Sequence, residues 1–155
     1  MILCDTNLLI EFYKNNTAII QELRQIGSQN LTISIITRAE LYYGALNKDE
    51  LNRIQKHLDL LQNIPIDRPI SEQFIQLMAQ YSLSHKLTIP DAMIAATALT
   101  HNISLYTLNL KDFRFIEGLK IYQSPFHDPN RSSGVTDLAH RTIQKRLAAK
   151  NVCVN

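Results

Sequence analysis

Short runs of apolar and β-branched residues alternate with longer amphipathic stretches along the first 123 residues of the chain. In the amphipathic stretches the apolar residues recur at steps of three and four, as Ile54, Leu58 and Leu61 do. This spacing predicts helices over residues 8–14, 17–26, 37–46, 49–62, 71–85 and 91–101. The short runs predict strands over residues 1–4, 31–35, 64–67 and 104–108, with a weaker fifth strand over 119–122. Such alternation indicates an α/β fold whose mainly parallel sheet is covered by helices.

The composition changes at residue 124, after the last predicted strand. Residues 124–155 contain a cluster of Pro, Ser and Gly, followed by an apolar spacing that allows a helix over residues 136–150. This segment holds five of the 16 Lys and Arg residues and two of the 14 Asp and Glu residues. We therefore predict a slightly acidic globular domain over residues 1–123 and a basic C-terminal tail over 124–155. The net charge of +2 is far below that of a protein that coats nucleic acid.

Cysteine usage and hydropathy indicate the cellular compartment. Cys4 and Cys153 stand at opposite ends of the chain, which gives neither a disulfide framework nor the spacing of a thiolate zinc site. No basic and apolar leader precedes Asp5. The apolar runs are also much shorter than the roughly 20 residues that a membrane span requires. We expect a cytoplasmic protein that does not bind membranes.

Four carboxylates lie where predicted strands pass into the next element. Asp5 ends the first strand, Glu40 lies about one turn into the helix after the second, and Asp112 follows the fourth. Asp91 follows Pro90 at the start of a helix too apolar to lie on the surface. Each acid alone is explained as a turn or capping residue. Together they indicate a site, because parallel sheets place their sites at the carboxyl ends of strands, near the point where strand order reverses.

The clustering of these four acids predicts a divalent cation. Two carboxylates about 4 Å apart repel by about 4 kcal/mol at an effective dielectric near 20, so several cannot stay ionised together unaided. The five histidines show no ligand spacing, and oxygen ligands favour Mg²⁺ or Mn²⁺ over Zn²⁺. Such sites commonly act on phosphate esters, because the ion activates a water and offsets charge at phosphorus.

Four segments in this order and spacing resemble the PIN-domain nucleases, and their size and order are most similar to the VapC-type toxins of bacterial toxin–antitoxin pairs. They are residues 2–7 (ILCDTN), 37–44 (TRAELYYG), 89–96 (IPDAMIAA) and 105–113 (LYTLNLKDF). The resemblance covers residues 1–123. It implies a five-stranded parallel sheet flanked by helices and a site dependent on Mg²⁺ or Mn²⁺ that hydrolyses RNA phosphodiester bonds.

The resemblance also implies biological partners. Such a protein arrests growth by cleaving RNA, with transfer RNA as the leading class and ribosomal RNA next. A small antitoxin neutralises it by covering or entering the acidic cleft, and family members generally form homodimers.

The resemblance assigns roles residue by residue. Asp5, Glu40 and Asp91 match the first three acids of the family, and the fourth falls on Asp112 or Asn109. We favour Asp112 as the acid and Asn109 as a neutral ligand or hydrogen-bond donor. Three further residues match groups that orient the carboxylates or the scissile phosphate, namely Thr6, Asn7 and Thr107. Cations in the adjacent segments are candidate RNA contacts, namely Lys86, Lys111 and Arg114.

Other classes of protein remain as alternatives. A PIN-like module that binds RNA or a partner without cutting would share the same fold, and fold analogy alone never proves function. Haloacid-dehalogenase-like phosphatases also begin with an apolar strand and Asp-x-Asp, but Asn7 replaces the second acid here. A receiver domain needs an acidic pair before its first strand acid, and none precedes Asp5.

Overall fold

A computed structural model describes residues 1–125 of the chain. The tail helix predicted over residues 136–150 lies outside the described residues, so the division into a domain over 1–123 and a tail over 124–155 stays a prediction. None of the helices in the described part is both long and apolar enough to cross a lipid bilayer.

Strands and helices alternate through residues 1–125, as predicted. The strands are β1 (Ile2–Cys4), β2 (Leu31–Ser34), β3 (Gln62–Ile64) and β4 (Ser104–Tyr106). The helices are α1 (Thr6–Tyr13), α2 (Thr17–Ile26), α3 (Ile35–Gly44), α4 (Lys48–Leu58), α5 (Arg68–His85) and α6 (Ile89–Thr100). Short 3-10 turns occupy Ser28–Asn30 and Leu110–Asp112.

The strands form one parallel sheet in the order β3-β2-β1-β4. The chain adds strands on one side of β1 first and then crosses to its other side, so strand order reverses between β1 and β4. Ile2 pairs with Leu31 on one side and with Ser104 on the other. The predicted α/β fold with a parallel sheet flanked by helices is confirmed. Ligands of open parallel sheets bind at this kind of reversal, beyond the carboxyl ends of the strands.

The described sheet has four strands rather than the predicted five. Residues 119–122 pair with it through a single bridge between Leu105 and Ile121. The Leu105 N–H donates to the Lys120 carbonyl, and the Leu105 carbonyl accepts from the Tyr122 N–H, both at 2.8 Å. The pairing is confined to one residue of β4, so residues 119–122 add a bridge to the described sheet and not a fifth strand.

Capping side chains set the ends of the elements. Asp67 was predicted at the end of the third strand, but its Oδ1 accepts a hydrogen bond from the Ile70 N–H at 2.9 Å and caps α5. An Asp at this position satisfies one of the free N–H groups of the first helical turn. Strand β3 therefore ends at Ile64, and α5 begins at Arg68.

Two apolar cores lie on the two faces of the sheet. Leu3 and Leu105 point toward α5 and α6, whereas Cys4, Ile33 and Tyr106 point toward the helices α1, α2, α3 and α4. This alternation follows from the pleat of a strand, which sends successive side chains to opposite faces. Helix α6 packs closely because its buried face consists largely of small residues, namely Ala92, Ala95, Ala96 and Ala98.

A buried carboxylate links α2 to β4 and to the segment that follows it. Glu22 is 2% exposed, and its Oε2 accepts hydrogen bonds from the Tyr106 hydroxyl at 2.5 Å and the Ser124 hydroxyl at 2.8 Å. Its other oxygen, Oε1, is buried and has no hydrogen-bond partner within residues 1–125. A buried carboxylate needs such donors, because an unpaired one loses its hydration without replacement. The hydrogen bond from the Tyr106 hydroxyl to Glu22 therefore stabilises the fold.

We expect Tyr106→Phe to lower the free energy of unfolding by about 1–3 kcal/mol, because it removes a donor and leaves the buried Glu22 poorly solvated. Urea denaturation followed by circular dichroism would measure the change. Tyr43→Phe removes the same hydroxyl from a residue that is 41% exposed, and it should change stability by no more than about 0.5 kcal/mol. Equal losses for the two variants would contradict this role of Tyr106.

Candidate functional site

Asp5 lies at the reversal point of the sheet. Its N–H donates to the Tyr106 carbonyl at 3.0 Å, which extends the pairing of β1 with β4 by one residue. Its side chain caps α1 by accepting from the Thr6 N–H at 2.7 Å through Oδ1, and Oδ2 accepts from the Thr107 hydroxyl, also at 2.7 Å. The residue is only 3% exposed. Both oxygens of Asp5 are thus held in fixed directions.

Burial raises the pKa of Asp5 to about 7. The hydrogen bond from Thr107 lowers this pKa, and the charge of Asp91 raises it. Two smaller effects follow, since the hydrogen bond from Thr6 lowers the pKa and the charge of Glu40 raises it. Asp91 and Glu40 are therefore close enough to act on Asp5, although they lie on α6 and α3. The structure brings together these three predicted acids.

Each of the three acids accepts a hydrogen bond from a threonine hydroxyl. Besides the Thr107 contact of Asp5, the Oε2 of Glu40 accepts from the Thr6 hydroxyl at 2.6 Å. The Oδ2 of Asp91 accepts from the Thr88 hydroxyl at 2.5 Å. Asp91 is 4% exposed, and Thr88 also caps α6. The threonines therefore fix the orientations of the three carboxylates.

The Thr107 hydroxyl is the centre of a hydrogen-bond network at the end of β4. In addition to donating to Asp5, it accepts from the Asn7 amide at 3.3 Å and from the Asn109 N–H at 3.0 Å. The Oδ1 of Asn7 in turn accepts from the Leu108 N–H at 3.1 Å. Asn7 and Asn109 therefore hold the segment that follows β4 against the start of α1.

Asp112 joins the site indirectly. Its carboxylate accepts a hydrogen bond from the Asn109 amide, and Asn109 is 6% exposed whereas Asp112 is half-buried. Asp112 does not contribute to the pKa of Asp5. The two candidates for the fourth position are thus hydrogen-bonded to each other, with the neutral amide more deeply buried than the acid.

The donor set consists of hard oxygen ligands, which suits Mg²⁺ or Mn²⁺. Among residues 1–125, no three His, Cys, Asp or Glu side chains form a group arranged to hold a metal ion. Mg²⁺ does not require one, because it usually keeps several waters and is bound through one or two carboxylates. Burial, and to a lesser extent the charges of Asp91 and Glu40, raise the pKa of Asp5, and a bound cation would favour its ionised form. The residues present therefore fit the ion.

Thr88 is not among the site residues predicted from the sequence, and neither is the pairing of threonines with acids. The sequence Thr88-Ile89-Pro90-Asp91 does contain a signal, since a hydroxyl residue three positions before an acid at a helix start is a capping box. The contact between Thr6 and Glu40 has no comparable signal, because 34 positions separate the two residues.

The three predicted cations lie in segments that border the acids. Lys86 caps the carboxyl end of α5 in a left-handed conformation with φ of 56°, five residues before Asp91. Lys111 lies in the 3-10 turn beside Asp112, and Arg114 follows it. All three are exposed. Their contact with RNA stays a prediction.

A cleft of about 790 Å³ opens elsewhere, between α1, α2 and α4. Its walls are mostly apolar, with Leu9, Phe12 and Ile54 among them, and the Tyr13 hydroxyl lies 2.8 Å from Nδ1 of His57 at its side. None of the predicted site residues lines this cleft. The acidic edge of the sheet and the cleft are therefore separate features.

Comparisons with known proteins agree with this fold. The model of the PIN domain family matches residues 2–117. Ribonuclease VapC1 from Methanocaldococcus jannaschii is 32% identical over 125 residues, which cover 78% of this chain and 86% of that protein. The tRNA(fMet)-specific endonuclease VapC from Shigella flexneri is 26% identical, over 75% of this chain and 92% of that protein.

Solved structures show the same likeness. A toxin–antitoxin complex from Klebsiella pneumoniae contains a chain with 34% identity and a TM-score of 0.67. The match covers 80% of this chain and 100% of that one. The similarity therefore extends over nearly all of the described residues.

Replacing Asp5 by Asn should stabilise the protein more at pH 8 than at pH 5. The folded-state pKa of about 7 exceeds the usual value near 4, so the folded protein binds an extra proton between these pH values and loses stability as the pH rises through them. Asp5→Asn removes this loss, and its gain in unfolding free energy should be about 2 kcal/mol larger at pH 8. Urea denaturation in EDTA at both pH values would measure it.

Asp49→Asn provides the matched control, since Asp49 is an exposed carboxylate in the first turn of α4. It reports the effect of losing a carboxylate at the surface. A gain for Asp5→Asn that is the same at both pH values would show that burial does not raise the pKa of this carboxylate.

Proposed function

Because the chain belongs to the PIN-domain family, we propose that it is a VapC-type ribonuclease that hydrolyses RNA phosphodiester bonds with the help of Mg²⁺ or Mn²⁺. The resemblance recognised in the four sequence segments is confirmed by the family match. The observation that carries the proposal is the buried Asp5, which shares the carboxyl edge of the sheet with Asp91 and Glu40.

The ion would be held mainly by Asp5 and Asp91, with Glu40 and Asp112 contributing through a water or a second, weaker ion. When bound, it supplies a water of lowered pKa and offsets negative charge at the scissile phosphate. The chain contributes orientation. Thr107 and Thr6 fix both oxygens of Asp5, and Thr88 fixes one oxygen of Asp91, so neither carboxylate has to be ordered when substrate arrives.

Transfer RNA is the first substrate class to test, and ribosomal RNA is the second. A relative that covers most of this chain is named as a tRNA(fMet)-specific endonuclease. RNA cleavage of this kind would make the protein a toxin that arrests growth. Exposed Lys86, Lys111 and Arg114 would meet the RNA backbone next to the acids.

A second candidate is a PIN-like module that binds RNA or a partner without cutting it. The exposed cations Lys86, Lys111 and Arg114 would serve such binding without any cleavage. The two candidates agree on binding and differ in whether the acids are needed for cleavage.

Purified protein should cleave RNA in Mg²⁺ or Mn²⁺, and EDTA should abolish cleavage. Asp5→Asn and Asp91→Asn should each lower the rate by more than about a hundredfold, because removing a direct ligand costs more than the 10- to 100-fold typical of an outer contact. Thr88→Val removes such an outer contact and should fall within that range. Gel analysis of a labelled transfer RNA would measure all of these rates.

Asp49→Asn should cleave like the wild type, since Asp49 lies on the exposed start of α4. Cleavage that survives EDTA or both acid substitutions would reject a metal-dependent mechanism. Binding of RNA without cleavage under every metal condition would favour the non-cleaving module.

The proposed partner is a cognate antitoxin, and the proposed assembly is a homodimer of this chain. The support is that a similar chain occurs in a toxin–antitoxin complex. A short reading frame with a DNA-binding half beside the gene for this chain would be the candidate.

Coexpression with the product of that reading frame should yield a stable complex in which RNA cleavage is suppressed. Size-exclusion chromatography with light scattering would give its composition, and the protein alone should elute as a dimer. A neighbouring product that fails to bind, or a monomeric protein, would contradict the corresponding part of the proposal.

A further inference from the structure

Two aromatic rings, one exposed and one half-buried, stack on each other in segments that border the acids. The rings of His85 and Phe115 have centroids 4.1 Å apart and an interplanar angle of 18°. Tyr81 lies against both, with centroids 5.6 Å from His85 and 5.3 Å from Phe115. Tyr81 is 7% exposed, and its hydroxyl accepts from the Glu117 N–H at 3.3 Å. The stack therefore rests on a buried, anchored ring.

The stack and the acids lie on the same side of the molecule. His85 is the last residue of α5, and residues 86–88 connect it directly to α6, whose first turn contains Asp91. Helices α5 and α6 pack together, and such a short link makes them antiparallel, so the end of α5 lies beside the start of α6. Phe115 approaches from the other border of the site, three residues after Asp112.

The His85 end of the stack is exposed to solvent. His85 is exposed in spite of its two ring contacts, whereas Phe115 is half-buried beneath it. Lys86 directly follows His85, and Arg114 directly precedes Phe115. Both cations are exposed, and within residues 1–125 neither takes part in an ion pair. Aromatic rings flanked by cations are the two features that bind single-stranded nucleic acid.

We propose that His85 and Phe115 form a stacking platform for one unpaired base of the RNA, while Lys86 and Arg114 bind the adjoining phosphates. This inference rests on the proposed function and adds to it which side chains outside the acids would hold the RNA. Stacking on rings is tolerant of sequence because every base has a π-face, so the platform selects unpaired over paired RNA. A base in a duplex is covered by its neighbours and cannot add to the stack.

Binding of short RNAs in EDTA tests the platform without cleavage. The probes are eight-nucleotide single strands that carry 2-aminopurine at successive positions, since this base loses fluorescence when it stacks. The wild-type chain should quench at least one probe. His85→Phe keeps a ring and should keep both the affinity and the quenching. His85→Leu keeps an apolar side chain without a ring, and it should lose the quenching and bind about 5- to 100-fold more weakly.

Further variants separate stacking from charge. Lys86→Gln and Arg114→Gln should keep the quenching and each reduce the slope of log affinity against log salt by about 0.7. His101→Leu is the matched control, because His101 is exposed at the opposite end of the 12-residue α6, about 18 Å away. This variant should bind the single-stranded probes like the wild type. A duplex probe should bind equally to His85→Phe and His85→Leu.

Equal affinity and quenching in His85→Leu and His85→Phe would overturn the platform, and normal RNA cleavage by the wild type would then leave the ribonuclease proposal intact. A wild-type chain that neither binds nor cleaves RNA would overturn both. Circular dichroism of each variant shows whether it is folded, and the exposed position of His85 makes both substitutions compatible with the fold.

Discussion

Asp5 connects parts of the chain that are far apart in sequence, through its backbone and its buried carboxylate. Its backbone N–H extends the pairing of β1 with β4, one oxygen caps α1, and the other binds Thr107 about a hundred residues away. Thr6, held by that cap, presents its hydroxyl to Glu40 on α3. The orientation of these carboxylates therefore depends on the buried side chain of Asp5. Burial and the neighbouring charges raise the pKa of this side chain.

Packing in the rest of the fold compensates for the destabilisation caused by these carboxylates. Leu3 and Leu105 pack under α5 and α6, and the alanines of α6 allow Asp91 to approach the sheet closely. Crowded carboxylates destabilise a domain that has no cation to relieve them, and the two apolar cores compensate for that destabilisation. The apolar cores thus supply stability that the crowded carboxylates remove, and such a trade-off is common at functional sites.

The last residue of strand β4 and the residue after it contribute to two different parts of the molecule. Tyr106 points into the α1–α4 layer and donates to the buried Glu22, and Thr107 points into the acidic site and donates to Asp5. The alternation of side chains along a strand makes this possible. The Ser124 hydroxyl reaches the same Glu22 oxygen, so the last described residues are anchored to α2 on the face away from the Asp5 carboxylate.

The sequence by itself determined the order of the elements and the four acids, because periodicity and strand ends are local features. The resemblance of four segments to one family added the function, and the family match agrees with it. Only the tertiary structure decided that residues 119–122 pair with β4 through a single bridge, that Asn109 donates to Asp112, and that Glu22 is buried. Each depends on contacts between distant segments, such as the 84 positions that separate Glu22 from Tyr106. The same holds for the stack of His85 on Phe115, since a local pattern contains no information about which distant residue a side chain meets.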